Sequence, residues 1–312
     1  MHLTMETQKK ILVLCGGKFA FPALQLLAFE NFMCGIGIGG ASETIVDALE
    51  RESEDNNLGF KSFPDKNSIS ELRQWIDGLK PDYIFCISFP YLIPETVLSY
   101  GEQKFINFHP GPLPQYRGAM PIFEVLKNQE TETAICTHFM NSEFDKGNII
   151  FNDPVPVEAE DTYGKLTVKL SNRMAHVALN MANMLQFASS IPNQPQDERL
   201  SCYFEKPRLS DTYINWNRMN AEEIIALINA CNPWNAGADA TLQGEQVKII
   251  AAELLDEPHD QMAGTIVSAI DSVQIACVDN QQIAVSILST DYGIMTASQY
   301  ITLHPEKAGI FN

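Results

Sequence analysis

Apolar positions along this chain shift between runs, alternation and helical spacing, and each shift marks an element. Residues 11–14 form a continuous apolar run and predict a buried strand; residues 21–29 then take helical spacing, with Pro22 in the first turn. Residues 82–88 and 135–140 read as further buried strands. Residues 105–109 alternate Phe, Ile, Asn, Phe, His and stop at Pro110-Gly111, which predicts a strand ending in a loop. A long amphipathic helix is expected over 164–187, closed by Ser189, Ser190 and Pro192, and the acidic stretch 41–55 also looks helical. Residues 191–212 are polar and hold Pro192, Pro195 and Pro207, the composition of a linker. Beyond it, Asn220 followed by Glu222 and Glu223 starts a helix. Short runs at 247–252, 264–268, 273–278 and 283–288, divided by turn residues, predict a small β-barrel. The expected organisation is an α/β catalytic domain with a mostly parallel sheet over 1–190, a linker over 191–212 and a β-rich domain over 213–312.

Candidate chemistry lies where the alternating strand stops. Side chains at i and i+2 of a strand point the same way, so Asn107 and His109 converge at the carboxyl end of a sheet, where open α/β folds bind ligands. An Asn amide can donate to a developing oxyanion, and a His moves protons near neutral pH. Asp145, in the segment Ser142-Glu143-Phe144-Asp145-Lys146-Gly147, would orient or charge the imidazole. A lone Asn-x-His is usually no more than a hydrogen-bonded pair at a loop start. The accompanying Pro-Gly-Pro-Leu-Pro loop and the downstream Asp-Lys-Gly favour an acyl-transfer site. His138, on the 135–140 strand, is expected either to reach this site or to be satisfied structurally.

At these residues the sequence resembles the N10-formyltetrahydrofolate-dependent formyltransferases, whose signature joins an Asn-x-His, a proline-containing loop, a Tyr-Arg-Gly (here Tyr116-Arg117-Gly118) and an Asp-x-Gly (here Asp145-Lys146-Gly147). The likeness runs almost end to end, through Cys15-Gly16-Gly17, Glu160-Asp161-Thr162, Tyr213-Ile214-Asn215-Trp216 and Cys231-Asn232-Pro233-Trp234. It implies a Rossmann-like formyltransferase domain and an OB-like C-terminal barrel, as in methionyl-tRNA formyltransferases and amino-sugar formyltransferases. It also implies N10-formyltetrahydrofolate as formyl donor, with no metal. Asn107, His109 and Asp145 would be catalytic. Tyr91, Leu92, Ile93, Gly111, Pro112, Leu113, Pro114, Asn141, Ser142, Glu143 and Phe144 would hold the folate, and Arg117, Ala119, His138 and Lys146 would meet the acceptor. One departure stands out: the family's usual Ser-Leu is Gly111-Pro112 here, which stiffens the loop and removes a hydroxyl.

Charge bears on the acceptor. The chain holds 21 basic and 39 acidic residues, a formal net charge of −18, whereas nucleic-acid ligands are held by neutralising phosphates with Lys and Arg. From residue 213 onward the basic residues are Arg218, Lys248 and Lys307. A small-molecule amine is therefore expected as acceptor: an amino sugar, a sugar nucleotide or an amino-acid-derived amine. Methionyl-tRNA is the alternative, and a formyltetrahydrofolate hydrolase or a non-catalytic folate-binding protein stand further off. Seven cysteines without a C-x-x-C pair read as buried thiols. The Gly16-Gly17 turn completes neither a dinucleotide fingerprint nor a P-loop, which disfavours a dehydrogenase. The absence of an 18-residue apolar run and of a signal-peptide core leads to a cytoplasmic expectation.

Overall fold

The computed structural model describes residues 8–270 and 272–311. Its strands in chain order are β1 (Ile11–Cys15), β2 (Met33–Gly39), β3 (Gly59–Phe63), β4 (Tyr83–Ile87), β5 (Phe105–His109), the two-residue β6 (Arg117–Gly118), β7 (Glu132–Phe139), β8 (Ile149–Pro156), β9 (Tyr203–Phe204), β10 (Ala238–Leu242), β11 (Glu245–Leu255), β12 (Ile266–Ser268), β13 (Val273–Ala276), β14 (Gln282–Thr290) and β15 (Gly293–Thr296). The helices are α1 (Phe21–Phe29), α2 (Glu43–Asp55), α3 (Leu72–Leu79), α4 (Glu95–Leu98), α5 (Pro121–Lys127), α6 (Tyr163–Phe187), α7 (Ala221–Cys231) and α8 (Ala297–Leu303).

Seven strands form one sheet in the order β3-β2-β1-β4-β5-β7-β8. Pairing is parallel from β3 through β5, and β7 joins β5 antiparallel. The Rossmann-like core that the resemblance implies is present, and the strands expected from the apolar runs lie in it: β1 is wholly buried, as are four of the five residues of β4, which is how strands covered on both faces read in sequence. The β5–β7 register sets Asn107 opposite His138 and His109 opposite Cys136, so a second histidine joins the face that Asn107 and His109 share.

The C-terminal strands run antiparallel in the order β10-β11-β14-β13-β12, with β15 also on β14. Residues at the end of the chain bridge the two ends of that order, Phe311 to Leu242 and Ile310 to Thr265, so the sheet curls in the manner of an OB-like half-barrel. Asn220 caps α7 through a capping box with Glu223.

Packing divides the chain differently from the boundaries 1–190, 191–212 and 213–312. Among the described residues, one compact unit comprises residues 8–118, 133–155 and 167–203; the other comprises 119–132, 156–166, 204–270 and 272–311. The expected linker is thus split. Its first part is stitched into the sheet unit by an antiparallel bridge between Gln194 and Ile149 and by main-chain bonds from Cys202 to Pro114 (3.2 Å) and from Arg117 to Cys202 (3.1 Å). Helix α5 belongs with the C-terminal unit, where Phe123 meets Trp234 edge-on. Among the described residues no helix is long and apolar enough to cross a membrane.

Candidate active site

Strand β5 delivers Asn107 and His109, β7 delivers His138, and the loop after β7 delivers Asp145. One oxygen collects them. Asp145 Oδ1 lies 3.5 Å from Asn107 Nδ2, 3.6 Å from His109 Nδ1 and 3.7 Å from His138 Nε2. The other carboxylate oxygen accepts from the Gly118 main-chain N–H at 3.0 Å. His109 and His138 are 4% and 2% exposed, so the network is shielded from bulk water and its charges act through a low local dielectric.

Hydrogen positions follow from the outer partners. His109 Nε2 lies 2.7 Å from the Tyr116 carbonyl, which requires a hydrogen on Nε2 and leaves Nδ1 as the nitrogen facing the carboxylate. His138 Nδ1 lies 2.8 Å from the Phe139 carbonyl, so its Nε2 accepts from Asn107 Nδ2 at 3.0 Å. Both hydrogens of the Asn107 amide are therefore turned inward, one on His138 and one on the longer contact to Asp145.

Burial pushes His109 below the ordinary histidine value, outweighing the upward pull of Asp145 and of the Tyr116 carbonyl. Burial also works to raise the Asp145 carboxyl, but His109, His138 and the Gly118 amide together hold it well below the usual carboxylate range. The resting site is a carboxylate beside a neutral His109, not the standing imidazolium that a simple Asp–His pairing suggests.

The remaining expected site residues divide by what the fold leaves free. Leu92, Ser142, Glu143, Phe144 and Lys146 line a cleft of about 580 Å³ together with Arg117, Glu198 and Tyr203. Tyr91 donates its hydroxyl to the Pro64 carbonyl at 2.9 Å. Ile93 and Leu113 are buried in hydrophobic clusters and do not line the cleft. Gly111 and Pro114 are buried, Pro112 is half-buried, and Asn141 accepts from the Glu143 N–H. Ala119 is exposed and lies in the C-terminal packing unit. Arg117, expected to meet the acceptor, is 2% exposed and is taken up by protein groups: Glu198 at 2.7 and 3.0 Å and Gln196 at 2.7 and 3.0 Å. Lys146 is paired with Glu143.

Gln196 and Glu198 were not foreseen. They sit in the stretch whose prolines and polarity mark a linker, and no hydrophobic period flags them. The thiols of Cys15 and Cys136 are buried and pushed up to about 12, whereas Cys202, expected to be buried, is exposed on the cleft. No group of three or more His, Cys, Asp or Glu side chains among the described residues could hold a metal ion.

With this geometry established, known proteins give the following likenesses. A family model described as formyl transferase matches residues 43–181, and one described as formyl transferase, C-terminal domain, matches residues 208–305. The methionyl-tRNA formyltransferase of Stenotrophomonas maltophilia is 28% identical over 240 residues, 76% of this chain and 77% of that protein. In fold, the chain is similar to WlaRD, a sugar 3N-formyl transferase solved in the presence of dTDP and 5-N-formyl-THF, with TM-score 0.69 and 18% identity over 90% of this chain and 98% of that one. It is also similar to an N-formyltransferase from Helicobacter canadensis solved with folinic acid and dTDP-3-aminofucose, with TM-score 0.68 and 18% identity over 89% of this chain and 98% of that one.

Proposed function

The chain belongs to the formyl transferase family and is an enzyme that transfers a formyl group; from that premise we propose that it takes the group from N10-formyltetrahydrofolate and passes it to a primary amine of a small molecule, not of tRNA. The convergence of Asn107, His109 and His138 on one oxygen of Asp145 carries the chemical part of this reading. Folate as donor fits the cleft: Leu92, an exposed apolar residue on its wall, makes no main-chain hydrogen bond among the described residues, so a free donor and acceptor lie beside an apolar side chain. Two structural neighbours were solved with folate derivatives, which agrees with that donor.

The acceptor amine attacks the formyl carbon, forming the new N–C bond. Asn107 turns one amide hydrogen from its long 3.5 Å contact with Asp145 to the developing oxyanion. His109 Nδ1 takes the proton the amine loses, becomes an imidazolium beside Asp145, and returns that proton to the folate nitrogen as its bond to the formyl carbon breaks. Asp145 stays ionised throughout and stabilises the transient cation. His138 holds the Asn107 amide in plane, and the Tyr116 carbonyl keeps the His109 ring from rotating. The neutral resting state of His109 suits this order of events, because the base must be vacant before the amine attacks.

For the acceptor, the formal net charge of −18 argues against a polyanion. Helix α2 adds Glu43, Asp47, Glu50, Glu52, Glu54 and Asp55 within thirteen residues. The neighbours solved with dTDP or a dTDP-amino sugar support a nucleotide-linked amino sugar. The methionyl-tRNA formyltransferase relative, matched over three quarters of both chains, favours tRNA as the second reading. Tetrahydrofolate release from N10-formyltetrahydrofolate, measured against nucleotide-linked amino sugars, amino-acid amines and initiator methionyl-tRNA, separates them. Turnover with a small amine and none with tRNA is expected; a strong preference for tRNA overturns the choice of acceptor.

A further inference from the structure

We propose that Gln196 is a positioning residue for formyl transfer, a latch that holds the Asp145 carboxylate against Asn107 and His109. The proposal rests on the reading of the Asp145 cluster as the formyl-transfer site. The Gln196 amide uses its full hydrogen-bonding capacity within the sheet unit. Nε2 donates to the main-chain carbonyls of Asp145 (2.7 Å) and Gly147 (2.8 Å), and Oε1 accepts from Arg117 Nε (3.0 Å) and Nη2 (2.7 Å).

That orientation admits no alternative. Exchanging the amide oxygen and nitrogen would set an NH2 group against the guanidinium and an oxygen against two carbonyls, breaking all four of these part-buried hydrogen bonds. Arg117 is itself fixed by the bidentate Glu198 carboxylate, so the donors of Gln196 always face the loop. The loop requires such a tie. Asp145 has φ 56°, a left-handed conformation that few residues other than Gly, Asn and Asp adopt, and the carboxylate whose placement matters hangs from that residue. Gly118, next to Arg117, binds the other end of the same residue through Asp145 Oδ2. One short segment thus grips Asp145 by its side chain directly and by its backbone through Gln196.

Two variants test the latch. Gln196→Ala removes the bonds to the Asp145 and Gly147 carbonyls together with the Arg117 partner, whereas Gln196→Glu keeps the volume and the Arg117 partner but loses the pair of donors. Both are expected to lower kcat by about 10- to 100-fold with KM for the folate little changed, the size of effect that displaced supporting groups produce. A second readout needs no formyl donor: histidine NMR titration of the ligand-free protein. The titratable groups facing His109 are Asp145 and His138, with Cys136 opposite on β7 holding a neutral thiol and the Tyr116 carbonyl on Nε2. Loosening Asp145 is expected to lower the His109 midpoint, in the direction that Asp145→Asn lowers it. Wild-type kcat in Gln196→Glu, or an unchanged His109 midpoint in both variants, overturns the proposal. A wild-type protein that releases no tetrahydrofolate with any amine sinks the formyl-transfer reading, while the titration still reports on the latch.

Discussion

Two polar stretches meet at Asp145, and they carry their information in different ways. The first, residues 107–118 with 142–147, supplies the amide, the imidazole and the carboxylate, and chemistry dictates those residue types. The second, residues 194–203, supplies main-chain bridges, one amide and one carboxylate, and almost any polar, proline-spaced segment could be written the same way. The proposed catalytic stretch is legible because acyl-transfer chemistry asks for those side-chain types; the supporting stretch is not, because what it supplies is backbone bonding and geometry. The comparison also ranks what each stretch contributes to the rate. Groups that touch the reacting atoms set the barrier directly, and those that hold them act only through displacement.

The sharpest test of that ranking is His109→Ala. Removal of the proposed proton carrier is expected to lower kcat by about 10²- to 10⁴-fold, measured as tetrahydrofolate release under saturating donor. Asn107→Ala follows, with a loss of about 10²- to 10³-fold, the usual consequence of deleting an oxyanion donor. Single-turnover rates check this, because a donor needed only in the transition state lowers the chemical step without weakening folate binding. Should either variant fall less than Gln196→Ala, the division between reacting and supporting residues fails.

Gly147→Ala probes the junction of the two stretches. A Cβ there would lie 1.6 Å from the Phe139 carbonyl oxygen and 2.7 Å from its carbon, and backbone cannot step aside as a side chain can. The expected cost is about 1–3 kcal/mol of stability, read as a lower urea midpoint. The Gly147 carbonyl is also one of the two that Gln196 holds, so strain introduced on the catalytic side propagates to its support.

The same comparison explains what the sequence made plain elsewhere in the fold. Strands β1 and β4 are continuous apolar runs and were readable at once, as was α6 from its long helical period. Strand β2 was not, because it reads Met-Cys-Gly-Ile-Gly-Ile-Gly and glycine weakens any strand signal. Its glycines are there for their neighbours: a Cβ at Gly37 would stand 2.6 Å from Leu14 Cδ2, and one at Gly35 would stand 2.9 Å from Leu79 Cδ1. The convergence of Asn107 and His109 followed from strand period alone, whereas the entry of His138 depends on the β5–β7 register, which no local pattern encodes. Gln196 lay furthest from sight, since its three partner residues are separated from it by 49 to 79 positions along the chain.

Acid titration sharpens the comparison from the side of stability. His109 has its folded value pushed below the ordinary 6.5, so between those limits the unfolded chain binds the extra proton. Stability therefore falls as pH drops through that window, and His109→Gln removes this part of the slope. Asp145 has its folded value held below the ordinary 3.8, so it contributes stability above that pH and loses it as pH falls further. Urea midpoints followed across both windows should show two separate acid losses, the upper one absent from His109→Gln and the lower one absent from Asp145→Asn. A single loss that persists in both variants would mean that the cluster does not govern acid stability.

The smallest effect is expected at Lys146, although it sits between Asp145 and Gly147. Its ammonium pairs with Glu143 three residues earlier, the two side chains being 38% and 60% exposed. An ion pair so open to solvent is worth about 0–1 kcal/mol, because water screens the attraction and both long side chains lose rotamer freedom to keep it. Both neighbours, by contrast, have their main-chain carbonyls fixed by Gln196, and those bonds do not depend on the side chain at 146. Lys146→Ala should accordingly shift the urea midpoint by an amount equivalent to no more than about 1 kcal/mol, and the shift should shrink further as salt is added. A larger, salt-insensitive loss would mean that the loop is held by its own side chains, and the support ascribed to residues 194–203 would have to be reassigned to the loop itself.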